Sequence, residues 1–526
     1  MHPTENTLTG LLHRRATDSH DREFLRFAEG SWTFGEIDEW TSRLAHRLIT
    51  EDGVRPGDRV AIMLPNVIGW PVAWLAILKA GGVVVPVNSA YRRADLDFVV
   101  RDSGARVIVT DAEHTPLVDE VRAGGDGAGS VELRVVGYGD PAGLAGFPAA
   151  APEVAVGADT LANLQYTSGT TGFPKACMLT HGYWTRIGEI CRQTAGLGAD
   201  DVILTSQPFS YMDPQWNTSL SLTLGAPLVV LPKFSASGFM ADVRRHGATF
   251  CYVLGSMPTL LFKQPATAED RDNRLRLVLC SAIPAGLHAQ LEERWGAPWR
   301  EIFGMTESGA DLASLPEDTA DVGTGRLGRP VPGKRVRIVD PEGRDVPDGT
   351  PGELITSGTP MMLGYWNRPE ATAETIRDGW LHTGDVAVHE DGGYRIVGRI
   401  KDMVRRGGEN IASSEVERAL ERDATVVAAA VVAEPDELFG EEVKAFVQLA
   451  PGTAPDRTTA ERIVDGARPA RAVQGAPLRR VRQRLPAHPV GADRQAHSPG
   501  PRGREPRNRL RPAAGARRRA GEVREP

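Results

Sequence analysis

Short apolar runs alternate with helix-period segments through the first half of this chain, and that alternation leaves few folds open. VAIMLP (60–65) is followed by WPVAWLAILKAG (70–81), which has a helical pattern, and then by VVVPVN (83–88) and RVIVTD (106–111). VILTSQP (202–208), LVVLPKF (228–234), TFCYVLG (249–255) and LRLVLCSA (275–282) repeat the strand pattern, with helix-like stretches between several of them. Strands apolar along their whole length must be covered on both faces, which is the condition of a parallel or mixed sheet. The pattern changes at 324–400, where GRLGRPVPGKRVRIVDPEG, GELITSG and GYRIVGR read as short strands joined by Gly/Pro turns. From 409, ENIASSEVERALER reads as a helix, and VVAAAVVAEPD and EEVKAFVQLAPG as strands. The expected fold is therefore α/β. A large N-terminal domain of mixed parallel sheets flanked by helices carries a β-rich subdomain, and a small α+β domain follows, whose mobility is implied only by the resemblance given below.

The 526 residues suffice for two to four domains at about 100–200 residues each. Hydrophobic residues make up 41% and charged residues 25%, so a wholly disordered or fibrous chain is excluded. No apolar run reaches the ~18 residues of a membrane span, and MHPTENTLTGLLHRR has no apolar signal-peptide core. Cys177, Cys191, Cys251 and Cys280 form no CxxC pair, which argues against a zinc site or disulfide framework and for a reducing cytoplasm. The net charge of -7 hides an asymmetry: residues 466–526 hold 16 Arg, no Lys and four acids (Asp493, Glu505, Glu522, Glu525). That tail, without Phe, Trp, Tyr or Ile, cannot bury much apolar surface and is expected to be disordered.

Thr167-Ser-Gly-Thr-Thr-Gly-Phe-Pro-Lys175 follows the strand-like LANLQY. Its glycines admit close approach of a polyanion, its hydroxyls and backbone N–H groups are donors, and Lys175 adds a cation. The spacing does not match the Walker-type phosphate loop, and by composition alone a polar surface turn explains it as well. The nine-residue string resembles the signature loop of the adenylate-forming superfamily, which contains acyl-CoA synthetases, adenylation domains and luciferases. Phe303-Gly-Met-Thr-Glu307, Gly328-Arg-Pro330, Met362-Leu-Gly-Tyr-Trp366, Trp380-Leu-His-Thr-Gly-Asp385, Gly398-Arg-Ile-Lys-Asp402 and Gly407-Gly-Glu-Asn-Ile411 resemble further family segments in the family order. The resemblance covers about residues 20–464. FSASGFMADVRRHGAT and FGEEVKAFVQLAPG look most like crotonobetaine/carnitine-type acyl-CoA ligases.

The resemblance implies that the chain activates a carboxylate with Mg-ATP, releases pyrophosphate and passes the acyl group to a thiol, with ATP, Mg²⁺ and CoA as cofactors. Thr167, Ser168, Gly169, Thr170, Thr171, Gly172 and Lys175 would hold the β- and γ-phosphates as charge grows on the leaving pyrophosphate. Thr306 would contact the α-phosphate and Glu307 the Mg²⁺, an ion that needs few protein carboxylates. Phe303 would stack on adenine, beside Gly304, Met305, Ser281 and Ala282. Asp385 would accept hydrogen bonds from the ribose hydroxyls, with Arg399 supporting ribose and phosphate. Asp402 would be the hinge of the C-terminal domain, and Gly407 and Gly408 would let a pantetheine arm pass. Taken singly, each residue also has an ordinary reading: Glu307 as a solvated loop acid, Phe303 as a core aromatic, Asp385 as a turn residue, Gly407-Gly408 as a plain turn.

In this family an aromatic residue, often His, gates the acyl site after the strand that follows the phosphate loop. Here the segment is Pro208-Phe-Ser-Tyr-Met-Asp-Pro-Gln-Trp216, so Tyr211 takes that place, with Met212, Asp213 and Trp216 beside it. Trp184, Ser256, Met257, Ser281 and Ile302 would line the remainder. An acid in a largely apolar pocket is costly unless paired. Asp213 and Trp216 either receive a cationic or amino-bearing substrate, or Asp213 is a turn residue before Pro214.

The family ends in a P-x-T-x-(G/E)-K-type motif whose Lys stabilises adenylate formation, and nothing after Val464 resembles it. Codons read one base later permit T-A-R-A-R-L-A-L-F-K over Asp465–Gly475 and A-P-R-Y-V-E-F-V-N-A-F-P-R-T-P-S-E-R-I-A-K-H over Gly475–His497, which look like the missing family C-terminus. A reading-frame shift near Val464–Gly466 is the preferred account of the tail, and even the restored frame lacks the Lys. The expected organisation is a domain at 1–401 (β-rich at 324–400), a truncated domain at 402–464 and the tail at 465–526. Three functions stand side by side. The first is an acid–CoA ligase. The second adenylates but serves a carrier protein, an amine, or a nitrite-dependent diazotisation of aryl amines. The third binds nucleotide without catalysis or uses its Arg tail to bind a partner. Small-molecule partners are expected, with no membrane or nucleic acid, in a monomer or homodimer.

Overall fold

A computed structural model describes residues 6–124, 130–167, 174–406, 409–436 and 440–467. The strand expectations settle into two large sheets. In one of six strands the order is Arg134–Val136, Val107–Thr110, Arg59–Met63, Val83–Pro86, Leu161–Thr167 and Lys175–Thr180. All its pairings are parallel except the last, where Leu161–Thr167 and Lys175–Thr180 form an antiparallel hairpin. The nine-stranded sheet has six parallel strands in the order Trp299–Met305, Leu277–Ser281, Phe250–Leu254, Ile203–Thr205, Leu228–Val230 and Glu23–Phe27. Antiparallel strands close both of its sides: Gly309–Ala313 and Arg329–Pro330 at one, Gly30–Thr33 at the other. Gly30–Thr33 and Gly309–Ala313 follow their antiparallel partners after short turns, whereas residues 314–328 connect Gly309–Ala313 to Arg329–Pro330.

Helices fill the space between the two sheets. Gly69–Lys79 is buried at every position, as an all-round apolar helix must be. Its single cation, Lys79, is held by the Asp38 carboxylate at 2.6 Å and the Ser42 hydroxyl at 2.8 Å. His181–Ala195 and Met212–Leu224 join it in one core with Trp70, Trp74, Trp184 and Phe209. Asn66 stitches the sheets together: its side chain donates to the carbonyls of Gln207 and Leu231 and accepts from the Phe209 N–H.

The expected β-rich stretch forms a five-stranded antiparallel sheet of Lys334–Val339, Gly352–Gly358, Ile376–Arg377, Trp380–Glu390 and Gly393–Arg399. Its anchor to the nine-stranded sheet is a buried ion pair. Asp311 and Lys334, 3.2 Å apart, have wholly buried side chains. Asp311 also accepts hydrogen bonds from Thr356 at 2.7 Å and from Ser308.

One expectation needs correction. The helix read from 409 begins later: Glu409–Ala412 is a strand paired with Met403–Arg406, and the helix is Ser413–Leu420. Glu, Ala and Ser suggest helix locally, but pairing with the neighbouring strand decides the backbone. With Val426–Asp436 and Gly440–Leu449 these strands make a four-stranded antiparallel sheet, and Ser413–Leu420 and Arg457–Gly466 lie against it. The tail beyond Ala467 lies outside the described residues, so its expected disorder and frame shift stay there too.

Removing one member of a buried ion pair leaves an uncompensated charge, at a cost of about 3–5 kcal/mol. Lys334→Met is expected to lower the urea midpoint of unfolding markedly, and Asp311→Asn in the same chain should recover part of that loss. Additive losses in the double variant would show that the two charges do not depend on each other.

Candidate functional site

The phosphate-loop hairpin begins and ends on residues in register, Thr167 opposite Lys175. Ser168, Gly169, Thr170, Thr171 and Gly172 lie outside the described residues. What is described is the base of the loop: the Thr167 hydroxyl faces the Lys175 carbonyl at 3.4 Å, and Lys175 Nζ stands 4.9 Å from the centre of the Tyr365 ring.

Phe303, Gly304, Met305, Thr306 and Glu307 come at the end of strand Trp299–Met305, where the register slips between Phe303 and Gly304. Glycine at 304 is compulsory, because a Cβ there would lie 1.8 Å from the Gly309 carbonyl oxygen. The Thr306 carbonyl accepts from the Tyr183 hydroxyl at 3.0 Å, and its own hydroxyl touches Met212 Sδ at 3.5 Å. Glu307 is buried. Its carboxylate accepts from the Tyr365 hydroxyl at 2.8 Å and its carbonyl from the Met362 N–H at 2.8 Å. Cys177, its thiol pushed well above the usual range by burial with the Glu307 charge adding to the effect, lies against the same carboxylate. Phe303 packs one side against the small core of Leu312, Leu327, Ile338, Leu354 and Ala387. No group of three His, Cys, Asp or Glu suited to a metal occurs among the described residues. A lone carboxylate fits Mg²⁺ supplied with phosphate oxygens and water, and does not fit a protein-caged ion.

Asp385 and Arg399 face each other in register on two antiparallel strands. The buried Asp385 carboxylate accepts from Arg399 Nε at 3.1 Å, while the Arg399 side chain as a whole is 45% exposed. Gly384, at φ +72°, turns the chain into this position, and its N–H is held by Glu353 at 3.1 Å. The Asp402 carbonyl accepts from Ser413 at 2.5 Å, fixing the start of the last helix-bearing unit to the segment before it. Gly407 and Gly408 lie outside the described residues.

The expected acyl pocket is only partly assembled from the expected residues. Tyr211 is 41% exposed and its hydroxyl accepts from Asn88 at 3.3 Å. Asp213 keeps part of its surface open, yet the surrounding protein pushes its carboxyl up to about 6, a rise that a hydrogen bond from Trp216 moderates. Trp216 lies edge-on to Tyr252, ring centres 5.3 Å apart. The Ser281 hydroxyl donates to the Ile302 carbonyl at 2.8 Å and meets the Tyr252 hydroxyl at 2.9 Å. Ala282 holds φ +71°, unusual for a residue with a side chain. The N–H groups of Ala282 and Ile283 both donate to Glu301, whose carboxyl burial pushes up to about 8. Ser256 is exposed at the start of Met257–Phe262.

Two more of the expected pocket residues are closely packed. Trp184 is wholly buried in the core between the sheets, with Nε1 donating to Asn163, and Met257 is buried in a second cluster with Leu204, Val253 and Cys280. Apolar side chains beside a pocket gain more from packing than from lining it. The structure also adds residues the sequence reading missed. Asn163 and Gln165 sit on the strand that leads into the phosphate loop, and Gln215 bonds to both, at 2.8 and 3.1 Å, and to the carbonyls of Phe209 and Tyr211. Gln165 also donates to the Ser210 carbonyl at 2.8 Å. The available signal was two amides in an otherwise apolar strand.

Comparison with known proteins agrees with this geometry. The family model "AMP-binding enzyme" matches residues 12–366, and "AMP-binding enzyme C-terminal domain" matches residues 415–488, running past Val464. A feruloyl-CoA synthase from Amycolatopsis sp is 35% identical over 450 residues, 84% of this chain and 89% of that protein. The fatty acid–[acyl-carrier-protein] ligase ScoC from Streptomyces coeruleorubidus is 33% identical over 439 residues, 80% of this chain and 83% of its own. Among solved structures, ATP-bound MatB from Rhodopseudomonas palustris superposes with a TM-score of 0.80 at 28% identity, covering 91% of this chain and 96% of that one.

Gly304→Ala is expected to force Phe303–Thr306 away from Gly309 and to weaken AMP binding by at least about tenfold, since a misplacement near 1 Å costs far more than that in a preorganised site. Isothermal titration with AMP would check it; unchanged affinity would mean that the turn is not part of the nucleotide site.

Proposed function

This chain belongs to the AMP-binding enzyme family and is an AMP-forming ligase, and on that premise we propose that it is an acid–CoA ligase. The substrate carboxylate displaces pyrophosphate from ATP to form an acyl-adenylate, and the CoA thiol then displaces AMP to give the acyl-CoA. The observation that carries the reading is the convergence of Lys175 and Glu307, distant in sequence, on the face and hydroxyl of one ring, Tyr365. A cation for phosphate and a carboxylate for its metal belong side by side in a site that cleaves between the α- and β-phosphates.

The roles follow. Lys175, with Thr167 to Gly172, neutralises the leaving pyrophosphate. Thr306 meets the α-phosphate, and Glu307 holds Mg²⁺, which when bound offsets charge on the phosphate oxygens. Phe303, Gly304, Met305, Ser281 and Ala282 bound the adenine. Asp385 receives the ribose diol, and Arg399, already on Asp385, turns its exposed end to ribose and phosphate. The domain boundaries at 401 and 464, the hinge at Asp402 and the passage at Gly407-Gly408 belong to the same reading. So does a cytoplasmic setting, supported by four free, buried cysteines.

For the acid itself, Asp213 beside Trp216, Tyr252 and Ser281 favours a substrate with an amino or quaternary ammonium group. This agrees with the crotonobetaine/carnitine-type resemblance of FSASGFMADVRRHGAT and FGEEVKAFVQLAPG. Asp213 attracts a cation only when ionised, so affinity for such an acid rises as pH climbs through about 6 and is lost below it. Asp213→Asn is expected to remove that pH step and to lower kcat/KM for amino acids of this kind while sparing neutral ones. A pH profile of kcat/KM for both variants checks it, and an unchanged step would take Asp213 out of the pocket.

ScoC's acceptor is a carrier protein, so the acceptor here is a specific question. AMP formation from Mg-ATP, measured over a panel of aryl, amino-aryl, betaine-like and short-chain acids, is expected to need CoA and to yield the acyl-CoA. AMP that forms equally without CoA would move the assignment to another acceptor.

A further inference from the structure

Tyr365 is absent from every role assigned so far, yet it contacts both charged groups of the phosphate site. Its hydroxyl donates to Glu307 Oε1 at 2.8 Å, and its ring lies 4.9 Å beneath Lys175 Nζ. No ion pair joins Lys175 to Glu307 among the described residues, although both crowd the same side chain. Two opposite charges free to meet would pair strongly in so sheltered a place. Metal and phosphate would then have to break that pair before binding.

The tyrosine itself is firmly held. Segment Met362–Trp366 runs along the free edge of strand Lys175–Thr180: Leu363 N–H donates to the Met178 carbonyl, Met178 N–H to the Gly364 carbonyl, and Trp366 N–H to the Ala176 carbonyl, each at 2.9 Å. The Tyr365 N–H donates to Thr372 Oγ1 at 2.9 Å, and the residue is only 7% exposed. Met362 N–H meanwhile reaches the Glu307 carbonyl at 2.8 Å. One short segment thus bonds to the backbones on which both charged residues sit.

We propose that Tyr365 is a positioning residue that keeps Lys175 and Glu307 apart and aimed, so that the phosphate cation and the metal carboxylate are both available when Mg-ATP arrives. The inference rests on the ligase reading for the roles of Lys175 and Glu307. The hydroxyl orients the carboxylate by a neutral hydrogen bond, which leaves the negative charge in place. The ring face supports the ammonium without neutralising it. A phenylalanine would keep the second function and lose the first; a leucine would lose both.

The test uses the full chain and two readouts. Binding of Mn²⁺ with a non-hydrolysable ATP analogue is followed by electron paramagnetic resonance, and AMP formation is followed against Mg²⁺ and ATP. Tyr365→Phe is expected to weaken Mn²⁺ binding and to raise the Mg²⁺ requirement about tenfold, with KM for ATP at saturating Mg²⁺ within about twofold of wild type. Tyr365→Leu should raise KM for ATP as well. In a Glu307→Gln background, Tyr365→Phe should cause no further loss of Mn²⁺ binding. Wild-type Mn²⁺ binding in Tyr365→Phe would overturn the proposal. So would an equal loss in the Glu307→Gln background, because the tyrosine would then act on the structure at large. Circular dichroism melting of each variant identifies a general loss of fold, which would likewise count against a positioning role. If the wild-type chain makes no AMP from any acid, the ligase reading fails, while the Mn²⁺ arm still decides what Tyr365 does.

Discussion

A charge that cannot reach water must be answered inside the protein, and the answer to Asp311 shapes the whole centre of this molecule. Lys334, Thr356 and Ser308 converge on it from three directions. Lys334 and Thr356 belong to the five-stranded sheet, and Ser308 follows Glu307 directly. The pair therefore holds the sheet carrying Asp385 against the turn carrying Thr306 and Glu307. Desolvation lowers the Lys334 ammonium, and the nearby carboxylate, with the Pro360 carbonyl that also accepts from it, favours the charged form. If the two sheets shifted relative to each other, both charges would lose their partners at once. Few arrangements of these elements satisfy that condition, and this one also brings together the residues proposed to bind the nucleotide.

The sequence disclosed the elements well where the signal was local. The runs at 60–65, 83–88, 106–111 and 249–255 each contain a strand because an apolar stretch in them is flanked by turns or helix-period segments. The Asp385–Arg399 register and the Thr306–Glu307 turn were legible only through their resemblance to a known order of motifs. What escaped was decided at long range. Strand Glu409–Ala412 exists because Met403–Arg406 is beside it, and no pattern within ENIASSEVERALER announces that neighbour. The bond from the Trp184 indole N–H to Asn163 across the core has no local signature either. The contact of Tyr365 with Glu307 joins residues whose spacing carries no periodic signal at all.

The pocket shows how burial assigns different characters to the same chemical group. Glu301 and Asp213 are both carboxyls displaced upward, to about 8 and about 6. Glu301 is tied to the two N–H groups of the Ala282–Ile283 turn, so its task is to hold a strained backbone in shape. Asp213 has one indole hydrogen bond and an opening to solvent.

The edge pairing of Leu363–Trp366 with Lys175–Thr180 also bears on how the chain is made. The hairpin leaves the ribosome long before the segment that completes its edge. At about 5–20 residues per second that interval is on the order of ten seconds. Throughout it, the nascent hairpin presents an unsatisfied row of N–H and C=O groups to any other strand in the polysome. The pairing that completes the sheet edge beside the proposed nucleotide site is thus also the protection of a newly synthesised chain against its neighbours.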